Sequence, residues 1–384
     1  MKVQSKVTIA VDSFKGSLSS HEAAQAIAEG VRSYAPECRV EIIPVADGGE
    51  GSAEVLTEAL GGVWQDVAVC DPLGRPLTAR YGFCGSLAVI DVASAAGLTL
   101  LRESERNPLN TTTLGVGLMM ADALRRGARE ILLGVGGSAT NDCAMGALEG
   151  LGFRFVDADG AVLRGCGVNL ERVAEIDPCG ALQELAGAHI TLVTDVDNLL
   201  LGAKGAATIF APQKGASKED VARLEEGARH FAECVRIVSG KDMTTLRGGG
   251  AAGGLAAGLW ALCGASIECG VEYILQRVDF AHRAEGSALV VTGEGRVDAQ
   301  TLMGKLPVGV LSAARRAGLR VVAVGGSVEW SGALSEVGFD SIVAATPEGM
   351  PLEVALRPEV ARDNLRRVGA LLAERYLSGT EESV

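Results

Sequence analysis

Short apolar runs, each followed by residues at helical spacing, stand at both ends of this chain, and that placement most limits what it can fold into. Val7–Val11 reads VTIAV, as expected of a strand buried on both faces of a parallel sheet. Ser19 and Glu22 then form a capping-box pair. Ala23, Ile27, Val31 and Tyr34 recur at helical spacing, and Pro36 ends the helix. Ile42–Val45 reads as a second strand, and Val55, Leu56, Ala59 and Leu60 as one face of a second helix closed by Gly61. The order βαβα predicts a parallel sheet. At the other end, Leu289–Val291, Val321–Val324 and Ile342–Ala345 read as strands. Pro307 opens a helix carrying Val310, Leu311 and Ala314, and Leu365, Val368, Leu372 and Tyr376 share one face of a last helix. Two strands from the beginning and three from the end make a five-stranded sheet. The expected fold is α/β: a discontinuous flavodoxin-like parallel-sheet domain, residues 1–64 plus 286–384, with a large inserted α/β domain, residues 65–285.

The insert has elements of its own. Leu114, Leu118 and Ala121 lie on a helix before the strand Ile131–Val135, and a further strand runs Ile190–Thr194. Ser217 caps a helix whose inner face carries Val221, Leu224, Ala228, Phe231 and Val235. The length of 384 residues suits two domains. A net charge of −13 without a basic run argues against a nucleic-acid backbone or an anionic membrane as partner. Nine scattered Cys without a C-x-x-C pair read as reduced thiols, not as a disulfide framework or zinc site. No signal-peptide pattern precedes the first strand, so a cytoplasmic location is expected. Gly248–Ile267 is uncharged and long enough to span a bilayer, but seven of its twenty residues are Gly, which favours a buried helix pair or loop. The implied partners are small molecules, and homo-oligomerisation stays open.

Five loops share one design, an apolar strand followed by Gly and polar residues, and the ends of parallel strands are where ligands bind in such sheets. Asp12-Ser13-Phe14-Lys15-Gly16-Ser17 follows the first strand, and Lys15 is either an anion contact or a solvated loop lysine. Asp47-Gly48-Gly49-Glu50-Gly51 follows the second, either as a turn bringing backbone to a ligand or as an exposed acidic turn. Gly134-Val135-Gly136-Gly137-Ser138-Ala139-Thr140-Asn141-Asp142 stands between strand and helix. There, backbone N–H groups, a helix N-terminus and two hydroxyls favour phosphate binding. It matches neither a Walker A loop nor G-x-G-x-x-G, which disfavours a nicotinamide dehydrogenase. Asp195-Val196-Asp197-Asn198 offers two carboxylates suited to Mg²⁺, or an Asx-type turn. Gly293-Glu294-Gly295-Arg296-Val297-Asp298 offers Arg296 as a fork for a carboxylate, or an Arg–Asp surface pair. Together these loops hold the equipment of phosphoryl transfer, in which positioning and charge neutralisation dominate.

In order and letters the loops resemble the bacterial glycerate kinase family of the two-domain α/β type. The matching stretches are DSFKGSLS (12–19), PVADGGEG (44–51), NPLNTTTLG (107–115), GVGGSATND (134–142), DVDN (195–198), PQKGA (212–216), GAAGGLAAG (250–258), TGEGRVDAQT (292–301) and GKLPVGV (304–310). The resemblance implies an ATP-dependent kinase that transfers the γ-phosphoryl group to glycerate with Mg²⁺, giving 2-phosphoglycerate, on a flavodoxin-like domain with a large insert and a cleft between them. The family pattern continues NDGG where this chain has Cys143 and Ala144, carries Pro where Val11 stands, and reads DVDNPL where Leu199 stands. Carried onto these positions, Asp47 or Asp195 orients or deprotonates the attacking hydroxyl. Asp195 and Asp197 hold Mg²⁺. The loop Gly136, Gly137, Ser138, Ala139, Thr140 and Asn141 cradles the ATP phosphates. Lys15 and Arg296, with Ser13, Gly48 and Gly49 nearby, hold glycerate or the transferring group. The other readings are a kinase for another small hydroxy or sugar acid and a non-catalytic metabolite sensor on the same scaffold.

Overall fold

The computed structural model describes residues 5–46, 48–49, 51–302 and 305–378. Its strands are, in chain order, β1 (Lys6–Val11), β2 (Arg39–Ile42), β3 (Val63–Cys70), β4 (Pro76–Cys84), β5 (Leu87–Asp91), β6 (Glu130–Gly134), β7 (Arg154–Val156), β8 (Val162–Leu163), β9 (Glu175–Asp177), β10 (His189–Thr194), β11 (Ser266–Cys269), β12 (Leu289–Val297), β13 (Val321–Val328) and β14 (Ser341–Ala344). They fall in two compact units, Met1–Asp47 with Val271–Val384, and Gly48–Gly270.

In the first unit one sheet runs β14-β13-β12-β1-β2, with every neighbouring pair parallel. Numbered within this unit alone, that is the order 2-1-3-4-5 of flavodoxin-like folds, and it reverses direction between β1 and β12. Because strand side chains alternate, Val7, Ile9, Val11, Leu289, Val291, Val322 and Val324 share one face and one core. The helices Ser20–Tyr34 and Pro358–Leu377 cover that face. They approach closely because Gly30 and Gly369 meet backbone, where a Cβ would overlap the Arg366 and Ile27 carbonyl oxygens. The capping box at Ser19 is formed, with the Glu22 carboxylate accepting from the Ser19 N–H at 3.0 Å. Helix Leu306–Arg316, with Pro307 in its first turn, packs on β12 and β13 from the other side.

The second unit is built on a mixed sheet, β11-β10-β6-β5-β4-β3. β5, β6, β10 and β11 are parallel, and β3 and β4 add an antiparallel edge. A small antiparallel sheet, β8-β7-β9, holds Phe155 against Phe231 of helix Lys218–Ser239, ring centroids 5.8 Å apart. The uncharged stretch from Gly248 forms the helical segment Ala251–Cys263, largely buried and broken near its start by left-handed backbone at Ala252, Gly253 and Gly254, and then β11. Among the described residues no helix is long and apolar enough to cross a membrane.

Two expectations shift. The division falls at 47/48 and 270/271, not at 64/65 and 285/286. Helix Ser52–Ala59 belongs with the insert because Thr57 packs against Gly82 of β4, whereas Gly309 of helix Leu306–Arg316 packs on Val271. β12 also runs six residues beyond the expected Val291. Gly293 and Gly295 signal a loop, yet they continue the ladder, with Glu294 opposite Gly325 and Arg296 opposite Ser327. Glycine is required at 293 by packing: a Cβ there would overlap the Val324 carbonyl oxygen.

Candidate active site

In the first unit the loops after β1, β12 and β13 converge where the strand order reverses, the usual ligand position in open α/β sheets. The Asp12 N–H donates to the Gly293 carbonyl at 2.9 Å, fixing the start of the 12–17 loop. The backbone of Gly295 lies against Phe14 and Lys15, and that of Gly326 against Gly295. Lys15 is exposed, and among the described residues it makes no ion pair or hydrogen bond. The Ser13 N–H is taken by the Asp12 carboxylate at 2.7 Å. Arg296 is engaged by Asp298 at 3.1 Å and by Glu329. The buried Glu294 carboxylate accepts from the Thr301 hydroxyl at 2.8 Å and pairs with Lys305 at 3.4 Å.

In the second unit the parallel strands again end in the predicted loops. Asp91, the last residue of β5, accepts the Gly51 N–H at 2.9 Å and the Ala53 N–H at 3.1 Å, holding the start of helix Ser52–Ala59. Gly48, at φ +88°, lies over the end of β10 beside Val193 and Gly270, and Gly134 leaves room for the Asp91 carboxylate and the carbonyls of Gly48 and Gly49. Asp195 follows β10, exposed, with the Cys269 thiol 3.6 Å from its carboxylate. Asp197 faces away into an exposed ion pair with Arg247 at 3.2 Å, a contact that adds little stability. Among the described residues no group of three or more His, Cys, Asp or Glu could cage a metal. Mg²⁺ needs no such cage, since one or two carboxylates shared with substrate phosphates suffice, and Asp195 fits that use. Asp47 lies outside the described residues.

The 134–142 turn divides into two parts. Gly136 and Gly137 reach the surface, and Ser138 is nearly covered. Ala139, Thr140, Asn141 and Asp142 are buried. The helix that follows, Met145–Gly150, is short, and its first turn is occupied by Asp142, which accepts from the Gly146 N–H at 3.2 Å. The same carboxylate accepts from the Thr113 N–H at 2.7 Å and its hydroxyl at 2.8 Å. Burial nevertheless pushes its pKa up to about 6. That helix N-terminus is therefore filled from within, and the exposed part of the turn is Gly136 and Gly137. Beneath the turn, Lys214 donates to the Thr140 carbonyl at 2.7 Å and lies 3.0 Å from the Ser138 hydroxyl. Behind it, Gly253, at φ +68°, presses so closely that a Cβ would overlap the Thr140 carbonyl oxygen.

A glycerate kinase family model matches residues 7–377. The chain belongs to the glycerate kinase family. It is 40% identical to a glycerate kinase of Halalkalibacterium halodurans over 91% of this chain and 93% of the relative. It is 37% identical to the glycerate 2-kinase of Escherichia coli K12 over 96% and 97%. The crystal structure of a candidate glycerate kinase 2 from Salmonella typhimurium LT2 superposes with a TM-score of 0.88 at 38% identity, covering 98% of this chain and 99% of that one.

Membership of the glycerate kinase family gives meaning to the departure at Cys143 and Ala144. Both residues have left-handed backbone, at φ +51° and +69°, where the family pattern has Gly-Gly. A non-glycine residue there is strained. Cys143 is wholly buried and its thiol pKa is raised by burial, so it is packing, not a nucleophile. Ala144→Gly is expected to raise stability by about 1 kcal/mol, read from the denaturation midpoint. An unchanged or lowered midpoint would mean that the Ala144 methyl's packing outweighs the strain.

Asp91, Asp142, Lys214 and Glu294 are candidates that sequence reasoning passed over. Lys214 stands in the matching stretch PQKGA, and Glu294 in TGEGRVDAQT, so the signal was present without a role attached. Asp91 ends an ordinary apolar strand, and backbone partners 40 and 38 residues away reveal its work.

Proposed function

We propose that the protein transfers the γ-phosphoryl group of ATP to glycerate with Mg²⁺, forming 2-phosphoglycerate. The observation that carries this reading is a family match from residue 7 to 377 whose glycine-rich loops lie at the C-terminal ends of parallel strands in both units. The amides of Gly136 and Gly137, with Ser138, serve the nucleotide phosphates, and Ala139, Thr140 and Asn141 shape that turn from inside. Asp195 holds Mg²⁺, and Asp197 supports it on release from Arg247. The ion, when bound, neutralises charge on the phosphates. Asp47 and Asp195 are the two candidates for orienting or deprotonating the hydroxyl. In the first unit Lys15 receives the glycerate carboxylate beside the Ser13 backbone, and Arg296 contributes by exchanging an acidic partner for the substrate; in the second, Gly48 and Gly49 let backbone approach a ligand at the end of β10. The compartment that suits ATP chemistry and nine free thiols is the cytoplasm.

The test is ADP formation by purified protein with ATP and Mg²⁺. Glycerate should support turnover, and glycerol, which lacks the carboxylate, should support roughly 10²-fold less or lower still, because a site built for a polar group rejects the analogue without it. Equal turnover with both would overturn carboxylate recognition. No ADP with either, in folded protein, would overturn the kinase reading.

A further inference from the structure

We propose that Lys214 is a positioning residue for nucleotide binding, holding the 136–141 turn from beneath and setting a positive charge under its exposed glycines. This rests on the kinase reading above and adds a residue to it.

The geometry is specific. Lys214 is 2% exposed at the end of the short turn Pro212–Lys214, 74 residues from the carbonyl it binds. Its ammonium bonds the Thr140 carbonyl at 2.7 Å and meets the Ser138 hydroxyl at 3.0 Å, spanning the inner half of the turn. A buried lysine is costly, and structure alone does not require one here, since a neutral donor could satisfy one carbonyl and one hydroxyl. Around it, the Thr140 hydroxyl, both polar atoms of the Asn141 amide and one Asp142 carboxylate oxygen are buried with no partner among the described residues. Such a cluster is unusual in a finished core and common where a ligand completes the network.

Charge supports the same assignment. Burial lowers the Lys214 pKa to about 7, opposed by the charge of Asp142. The Arg106 backbone lies against Gly215, the residue after Lys214. Above pH 7 the free protein therefore holds Lys214 increasingly neutral. An anionic phosphate above the turn favours the charged form, so nucleotide binding at pH 8 draws a proton onto Lys214. Lysine rather than arginine suits this, because its pKa moves on burial.

The experiment is titration calorimetry with ADP on the whole protein from pH 7.5 to 9, in two buffers of different ionisation enthalpy. Above pH 7.5 the ADP phosphates no longer titrate appreciably. The expected result is proton uptake on ADP binding at pH 8, and affinity that falls as pH rises and the free lysine loses its charge. Lys214→Met should bind ADP roughly 10²-fold more weakly with no pH dependence over this range, and Lys214→Arg should restore affinity without proton uptake. The KM for ATP should rise in Lys214→Met while the KM for glycerate changes little. Wild-type binding without proton uptake and independent of pH overturns the assignment while leaving the kinase reading intact, and needs no variant to fold. Tight ADP binding by folded Lys214→Met does the same. Failure of the wild-type protein to bind ADP at all overturns the kinase reading and this assignment together.

Discussion

Asp195→Asn is expected to lower turnover by roughly 10²-fold or more without loss of fold, the scale on which a positioned acid–base or metal-holding carboxylate acts. Asn keeps the size and most of the shape of the side chain and removes only the charge. The position is exposed at the end of β10, with the Cys269 thiol 3.6 Å from its carboxylate. The variant also separates two roles. If Asp195 holds Mg²⁺, raising the metal concentration restores part of the activity, because a weakened site is refilled by mass action. If it orients or deprotonates the hydroxyl, the deficit stays in kcat at saturating metal. Turnover equal to the parent at every metal concentration would remove Asp195 from the site.

Lys15→Ala is expected to reduce kcat/KM for glycerate by about 10²-fold, the scale of one charge-assisted hydrogen bond, while the KM for ATP stays near that of the parent. Lys15 is exposed and makes no ion pair among the described residues, whereas Arg296 already faces Asp298 and Glu329. The lysine therefore offers its charge at once, and the arginine must first give up an acidic partner. Steady-state kinetics with each substrate varied in turn decides the point. Normal kinetics for both substrates would leave Lys15 a solvated loop residue.

What could be read from sequence followed from local physics. The run Val7–Val11, the Ser19–Glu22 capping box and the spacing of Leu365, Val368 and Leu372 each state their structure within a few residues, and each formed. The parallel five-stranded sheet followed from them. The reach of β12 was hidden because Gly293 and Gly295 look like loop residues, and only the Val324 carbonyl pressed against the strand explains them. The unit boundary was hidden for a similar reason, since nothing within Ser52–Ala59 shows that Thr57 packs on Gly82.

The site divides along the same line. Loops that announce themselves through Gly and acidic residues were found where strands end, around Lys15, Gly48, Ser138 and Asp195. The Arg296–Asp298 pair that the letters allow is formed, but Arg296's other partner, Glu329 just after β13, is a tertiary fact. Asp197, two residues from Asp195, is paired with Arg247, 50 residues on, which spacing alone does not show. Asp142 and Lys214 carry ordinary letters, and their importance comes from complete burial beside the turn they support.

The reaction proposed is passage of the γ-phosphoryl group of ATP to glycerate. Phosphorus NMR of purified protein with ATP, Mg²⁺ and glycerate tests it most directly, because donor and product are followed in one sample. The γ-phosphate signal should decline while a single phosphomonoester signal, that of 2-phosphoglycerate, grows in step. A γ-phosphate signal that persists, or one that declines only into inorganic phosphate, would contradict it.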